Sequence, residues 1–198
     1  MRVGKMLGVV TVGAFIATAA FAQQTSVRIR GTITAVDGNV VSIQSREGKA
    51  LQVHLTDSSV VAIAKAIKFE DIKQGDYIGS AARRSADGSL EALEVHYLPP
   101  TAAKGHTPWD LEPGSTMTNA NVTVISQSAG TRELTLAYDG GSQTIKVPAN
   151  APIVRAVPGT RADLVKGEYI FTIAQAAPDG KLTTQRIQVS KDGVKPPM

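Results

Sequence analysis

The sequence predicts an all-β protein of two tandem, small, five-stranded barrels, each with one short helical turn, behind a cleaved signal peptide. Three observations carry that expectation. First, one phrase occurs twice, as Asp71-Ile72-Lys73-Gln74-Gly75-Asp76-Tyr77-Ile78 and as Asp163-Leu164-Val165-Lys166-Gly167-Glu168-Tyr169-Ile170, 92 positions apart, so the chain contains an internal repeat. Second, short alternating segments surround each copy and are punctuated by Asp37-Gly38, Asp87-Gly88, Asp139-Gly140 and Asp179-Gly180, dipeptides that mark hairpins. Third, the order of elements is the same in both halves, with three strands before the phrase and two after it.

Residues 1–22 stand apart from this pattern. Arg2 and Lys5 precede an uncharged apolar stretch from Leu7 to Ala20, and Ala20-Phe21-Ala22 has the small residues of a cleavage site, which makes Gln23 the expected mature start. The apolar run is short for a bilayer span, which takes ~20 predominantly apolar residues, and later hydrophobic runs are broken by Lys, Arg, Asp or Gly. A soluble periplasmic or secreted protein is expected. There is no cysteine, so a disulfide framework is unavailable even though export would permit one. Of 21 basic residues two lie in the leader and none of the 17 acidic ones does, so the mature chain carries 19 against 17. A balance of +2 gives little pull toward nucleic acid or a membrane surface.

The first unit, 23–98, opens with Val27 to Val36, where Val27, Ile29 and Ile33 alternate with Arg28, Arg30, Thr32 and Thr34. Gly31 interrupts the alternation, as glycine does at a bulge or a tight barrel corner. Asp37-Gly38-Asn39 turns the chain into Val40 to Ser45, and Glu47-Gly48 turns it again into a strand with Leu51, Val53 and Leu55 on one face and Gln52 and His54 on the other. A further apolar stretch, Val60 to Ile67, leads to the repeated phrase. In the phrase, Asp71 and Asp163 are expected to start a helical turn that Gly75 and Gly167 stop in the left-handed conformation. The unit closes with Tyr77 to Ala82, Asp87-Gly88 and Leu90 to Tyr97.

The second unit, 120–190, repeats the order with Asn121 to Ser126, Glu133 to Tyr138, Gln143 to Val147, a connecting stretch from Ala149 to Thr160, the phrase, and Leu182 to Val189. The offset of 92 fits the later strands, and a shift of about one residue is expected in the earlier ones. Five strands with a helical piece between the third and fourth is the order of an OB-like barrel, which closes its own edges. The tail, 191–198, reads as frayed or extended.

The linker segment 99–119 contains Pro99, Pro100, Pro108, Pro113 and Gly114, which exclude regular helix or strand, together with the only tryptophan. Trp109 and Leu111 either pack across the barrels and fix their orientation, or form a recognition loop in which His106, Trp109, Asp110 and Met117 contact a ligand or partner. The remaining histidines, His54 and His96, fall on outward positions of the third and fifth strands of one unit. Those strands are neighbours in an OB-like barrel, so the pair is a candidate half-site for a metal ion that would need further ligands. Nothing in the sequence joins Ser, His and Asp into a catalytic spacing, and no phosphate-loop, G-x-S-x-G or H-E-x-x-H motif occurs. The seven aromatics after residue 22 do not interleave with a basic groove, as single-stranded nucleic-acid binding requires.

The opening strand with Gly31, the Asp-Gly-Asn turn, the phrase at 71–78 and Ala86-Asp87-Gly88-Ser89-Leu90-Glu91-Ala92 resemble the DUF5666 family of exported OB-like repeats, whose phrase is similar to D-L-K-x-G-D-x-V followed by D-G-T-L-x-A. The resemblance runs from Val27 to Tyr97 and again, with Val165 and Thr183-Thr184-Gln185 departing from it, from Asn121 to Val189. It implies the fold and export but brings no activity. His106, Trp109 and Met117 are also similar in type to the His, Trp and Met usage of small periplasmic copper carriers of OB type. The expected function is therefore a non-catalytic binding or scaffolding module of the periplasm or cell envelope. It would have no required cofactor, and its partner would be an envelope protein or a small ligand. The alternative is a periplasmic copper- or zinc-handling protein using surface histidines.

Overall fold

A computed structural model describes residues 25–128 and 130–197; the expected signal peptide and the start at Gln23 lie outside the described residues. The chain is all-β. In order come β1 (Thr25–Asp37), β2 (Val40–Ser45), β3 (Ala50–Ala66), a 3-10 turn (Phe69–Asp71), β4 (Tyr77–Arg84), β5 (Leu90–Tyr97), β6 (Gly105–Pro108), β7 (Thr116–Ser128), β8 (Thr131–Tyr138), β9 (Gly141–Lys146), β10 (Ile153–Pro158), a second 3-10 turn (Arg161–Asp163), β11 (Tyr169–Ala176) and β12 (Leu182–Val189).

The strand pairings close into two five-membered rings, and neither ring belongs to one repeat. In ring A, β1, β2 and β3 pair in sequence, β3 runs parallel to β12, β12 pairs β11, and β11 returns to β1. Ring B joins β7, β8 and β9, then β9 runs parallel to β5, β5 pairs β4, and β4 returns to β7. The expectation of tandem barrels, each closed by its own unit, is thus corrected. Each ring takes three strands from one repeat and two from the other. The cores follow the rings: Ile33, Val41 and Val53 pack with Ile170 and Ile187, while Ile78, Leu90 and Val95 pack with Val122, Leu136 and Ile145. Alternation explains this, since inward residues at period two form an apolar face that any ring of matching pattern buries.

The exchange is driven through β3. Instead of turning back after Leu55, the chain stays extended to Ala66, and the 11 residues from Thr56 to Ala66 carry it roughly 35 Å at ~3.3 Å per residue. That stretch meets β10, the return crossing, in an antiparallel pair running from Val154↔Ala66 to Pro158↔Ala62. The central pair is Ala64↔Ala156, and 156 minus 64 is 92, the offset of the repeated phrase. A pseudo-two-fold axis therefore passes through the two crossing strands. In the opening strands the correspondence shifts by three residues: Tyr77 pairs Asn121 while its counterpart Tyr169 pairs Thr32, an offset of 89.

The phrase helps to close each ring by tying one repeat to the other. Gly75 (φ 91°) and Gly167 (φ 96°) adopt the left-handed conformation. Their N–H groups donate to Val122 O at 2.8 Å and to Ile33 O at 2.9 Å, each in the opening strand of the other repeat. Asp71 and Asp163 end the 3-10 turns rather than starting them. Their carboxylates reach back to accept from the N–H of Lys68 (3.3 Å) and of Thr160 (2.8 Å). Gly31 is needed for approach, since a Cβ there would lie 2.3 Å from Gln44 O; the bulge sits further on, between Ile33 and Ala35.

Two further expectations change. The linker segment contains a strand, β6, on the edge of β7. The tail is also ordered, because Lys191 and Val194 pair across an Asp192-Gly193 turn and Pro196 and Pro197 are buried.

Candidate functional site

Equivalent rows of the two rings flank one cleft between them. In ring B, His96, Gly79 and Asn119 lie side by side across β5, β4 and β7. The glycine leaves a gap that the flanking side chains fill: a Cβ at Gly79 would stand 2.5 Å from His96 Nε2 and 2.9 Å from Asn119 Oδ1. In ring A the corresponding row is Gln188, Phe171 and Arg30, where Phe171 occupies the glycine's position and the Arg30 guanidinium lies 5.3 Å from its ring. Between the rows is a cavity of about 240 Å³ walled by His96, Asn119, Phe171 and Gln188 with Trp109 and Met117. Its wall is largely apolar, with His96, Asn119 and Gln188 among its polar members, a composition like that of small-molecule sites.

Those polar groups are under-satisfied within the chain. Asn119 Oδ1 and Gln188 Oε1 are buried without a hydrogen-bond partner among the described residues. The Asn119 orientation is fixed, because its Nδ2 donates to Ala103 O at 3.1 Å. His96 Nδ1 stands 3.3 Å from Glu94 Oε1, within ion-pair distance but without hydrogen-bond alignment. A buried carbonyl left without a donor costs ~1–3 kcal/mol, a cost that the packing of these rows offsets.

The Trp109 segment braces the cleft. It connects β5 to β6 and β7 of ring B, yet it docks on β1 of ring A. Arg30, with its side chain 3% exposed, donates to Asp110 at 2.7 Å, and Arg28 stands 3.5 Å from the same carboxylate with its guanidinium 4.2 Å over the Trp109 ring. Arg46 donates to the Asp110 and Leu111 carbonyls. Ser115, buried, donates to Glu112 O at 2.7 Å and Trp109 O at 3.1 Å, closing the loop around Pro113-Gly114. Burial pushes the Asp110 carboxyl up, but Arg30 and Arg28 outweigh it and hold it below the ordinary aspartate range.

Of the four residues expected to form a recognition loop, two line this cleft and a third supports it from behind. Trp109 and Met117 line it, and Asp110 anchors the brace. His106 sits elsewhere, hydrogen-bonded through Nδ1 to Thr118 Oγ1 (2.8 Å) and stacked on Tyr138 at 6.4 Å. Burial and then the Arg84 charge hold its imidazole below the usual value. The two histidines proposed as a half-site are separated by the strand exchange. The parallel neighbour of β3 is β12, so His54 pairs Thr183 and lines an open cleft of about 780 Å³ on ring A, whereas β10 intervenes between β3 and β5. Among the described residues no group of three or more His, Asp or Glu could hold a metal ion. The 780 Å³ cleft is open and has the exposed polar residues Gln52, Asp179 and Lys181 in its rim, so the smaller, more apolar inter-ring cavity is the better candidate.

Gly79, Asn119, Gln188 and Glu94 were not singled out by sequence. A signal existed: at the repeat offset, Gly79 corresponds to Phe171 and His96 to Gln188, marking places where the two units diverge. No family model, curated protein or solved structure matches this chain.

Proposed function

We propose that this chain is an exported, non-catalytic binding module of OB type in the periplasm or cell envelope, with the inter-ring cleft as its seat. The observation that carries the reading is the largely apolar cavity between the two rings, walled by His96, Asn119, Phe171 and Gln188 together with Trp109 and Met117. The ring order first, second, third, fifth, fourth supports the OB-like reading, as do the positively charged start and apolar run the export reading. The resemblance to the DUF5666 repeats points the same way. Metal handling is not advanced further, because His54 and His96 line different clefts.

The test uses the mature chain, immobilised and exposed to an envelope extract, beside an Ala156→Phe variant that places an aromatic ring in the cavity wall. Species held by the parent and lost by the variant identify the ligand of the cleft. Identical retention by both proteins sinks the assignment of the seat.

A further inference from the structure

We infer that the inter-ring groove receives extended, proline-containing polypeptide segments, and that residues 191–197 of this chain occupy it as an internal competitor. The inference rests on the cleft being the binding seat and says what enters it.

The groove already holds a segment of this kind. Lys191-Asp192-Gly193-Val194-Lys195-Pro196-Pro197 is rich in residues that prefer solvent, yet both prolines are buried. The segment is aimed there by a built turn. Asp192 (φ 51°) and Gly193 (φ 80°) both take left-handed backbone, and Lys191 and Val194 exchange hydrogen bonds of 3.1 and 2.9 Å, the geometry that Asp-Gly favours in a two-residue hairpin. Asp192 is the only described non-glycine residue in that region of backbone space. Two basic contacts fasten the flanks: Lys191 Nζ lies 3.2 Å from Asp163 Oδ1, and Lys195 Nζ lies 5.0 Å from the Tyr169 ring.

Proline suits this seat because it has no N–H to leave unpaired in an apolar groove, and a Pro-Pro step is already extended. Aromatic-lined grooves recognise such segments on that basis, and Trp109 and Phe171 line this one. The groove is also larger than what occupies it. Pro197 forms part of the wall of the 240 Å³ cavity and of a neighbouring chamber of about 550 Å³ lined by Ile67, Leu93, Leu111 and Val154. A longer partner would fill both chambers.

The experiment reads the emission of Trp109, the only tryptophan, while a synthetic peptide of residues 191–197 is titrated into three proteins. These are the intact chain, a full-length Pro196→Gly/Pro197→Gly variant, and a chain ending at Ser190. Both altered chains should show a saturable emission change. The intact chain should respond about tenfold more weakly or less, because a tethered competitor acts at millimolar effective concentration. A peptide with both prolines replaced by glycine should be inert. The full-length variant keeps the test decisive if the truncated chain does not fold. Absence of an emission change in a folded variant, or equal binding by the intact chain, overturns the inference. If the peptide fails while Ala156→Phe still abolishes ligand retention, this inference falls alone; if both fail, the cleft reading falls with it.

Discussion

Ile78 and Ile170 occupy the same position in the two copies of the phrase, and both side chains are fully buried. If each repeat closed on itself, Ile78→Ala would weaken residues 25–97 and leave 116–189 intact. In the exchanged fold Ile78 belongs to the core of Val122, Leu134, Leu136 and Ile145, and Ile170 to that of Ile33, Val41 and Val53. Truncating a buried isoleucine to alanine costs ~2–5 kcal/mol. With no exposure at either site and a closed ring that resists collapse, about 3.5 kcal/mol is expected, or roughly 300-fold in an opening equilibrium. At ~2–4 °C per kcal/mol the thermal midpoint should fall by about 7–14 °C. Native-state hydrogen exchange separates the alternatives. Ile78→Ala should lower protection in 77–97 and 116–146 at least as much as in 25–45, and Ile170→Ala should do the converse for 25–63 and 169–189. Loss confined to 25–97 in the Ile78→Ala protein would refute the exchange.

Three other outcomes are expected. Gly79→Ala places a Cβ against the His96 ring and Asn119 Oδ1; overpacking of this kind costs ~1–3 kcal/mol, measured as a lowered denaturant midpoint, whereas an unchanged midpoint would show that the row is loose. Asp110 has a depressed carboxyl in the folded chain, so its contribution is present above the unfolded value of ~3.9 and is lost as pH falls through the folded value. Between pH 5 and pH 2 the Trp109 emission should shift toward that of exposed indole, and Asp110→Asn should remove that pH dependence; a transition retained in the variant assigns it to another group. His106 is depressed by burial and Arg84, so the folded chain favours the neutral ring and loses stability as pH falls below ~6.5. Comparing midpoints at pH 7.5 and 5.5 in the parent and in His106→Gln checks this, and equal pH dependence in the two proteins would contradict it.

Much of the local structure was legible because local rules set it. Asp-Gly turns at 37–38, 87–88, 139–140 and 179–180 place glycines at positive φ, and the alternation of Val27 to Val36 and Leu51 to Leu55 marks the strands that form. The partner of each strand was not legible. Tyr77 to Arg84 and Tyr169 to Ala176 carry equivalent inward faces, so hydrophobic patterning accepts either copy in either ring. What decides is the extended crossing from Val60 to Ala66, which in sequence is an apolar run of ambiguous purpose. The same degeneracy brought His54 and His96 together on paper, since their approach assumed third and fifth strands of one ring. That Trp109 has a task, in packing or in recognition, was legible because a flexible linker has no use for indole, but its seat on Arg28 and Arg30 depends on an opening strand far away in sequence. The burial of Pro196 and Pro197 was hidden by a segment whose composition resembles a solvated end.

The exchange also sets an order of assembly. Ring B can close once β9 has been made, because β4, β5, β7, β8 and β9 all precede residue 147. Ring A cannot, since Thr25 waits for Ala176 and Val53 for Leu182. As the chain is synthesised, β1 to β3 must persist as an open three-stranded sheet with two unpaired edges until β11 and β12 have appeared. Such edges recruit other strands, and non-local closure is slow. The window between the closing of the two rings is therefore when this chain is most exposed to joining with another copy of itself.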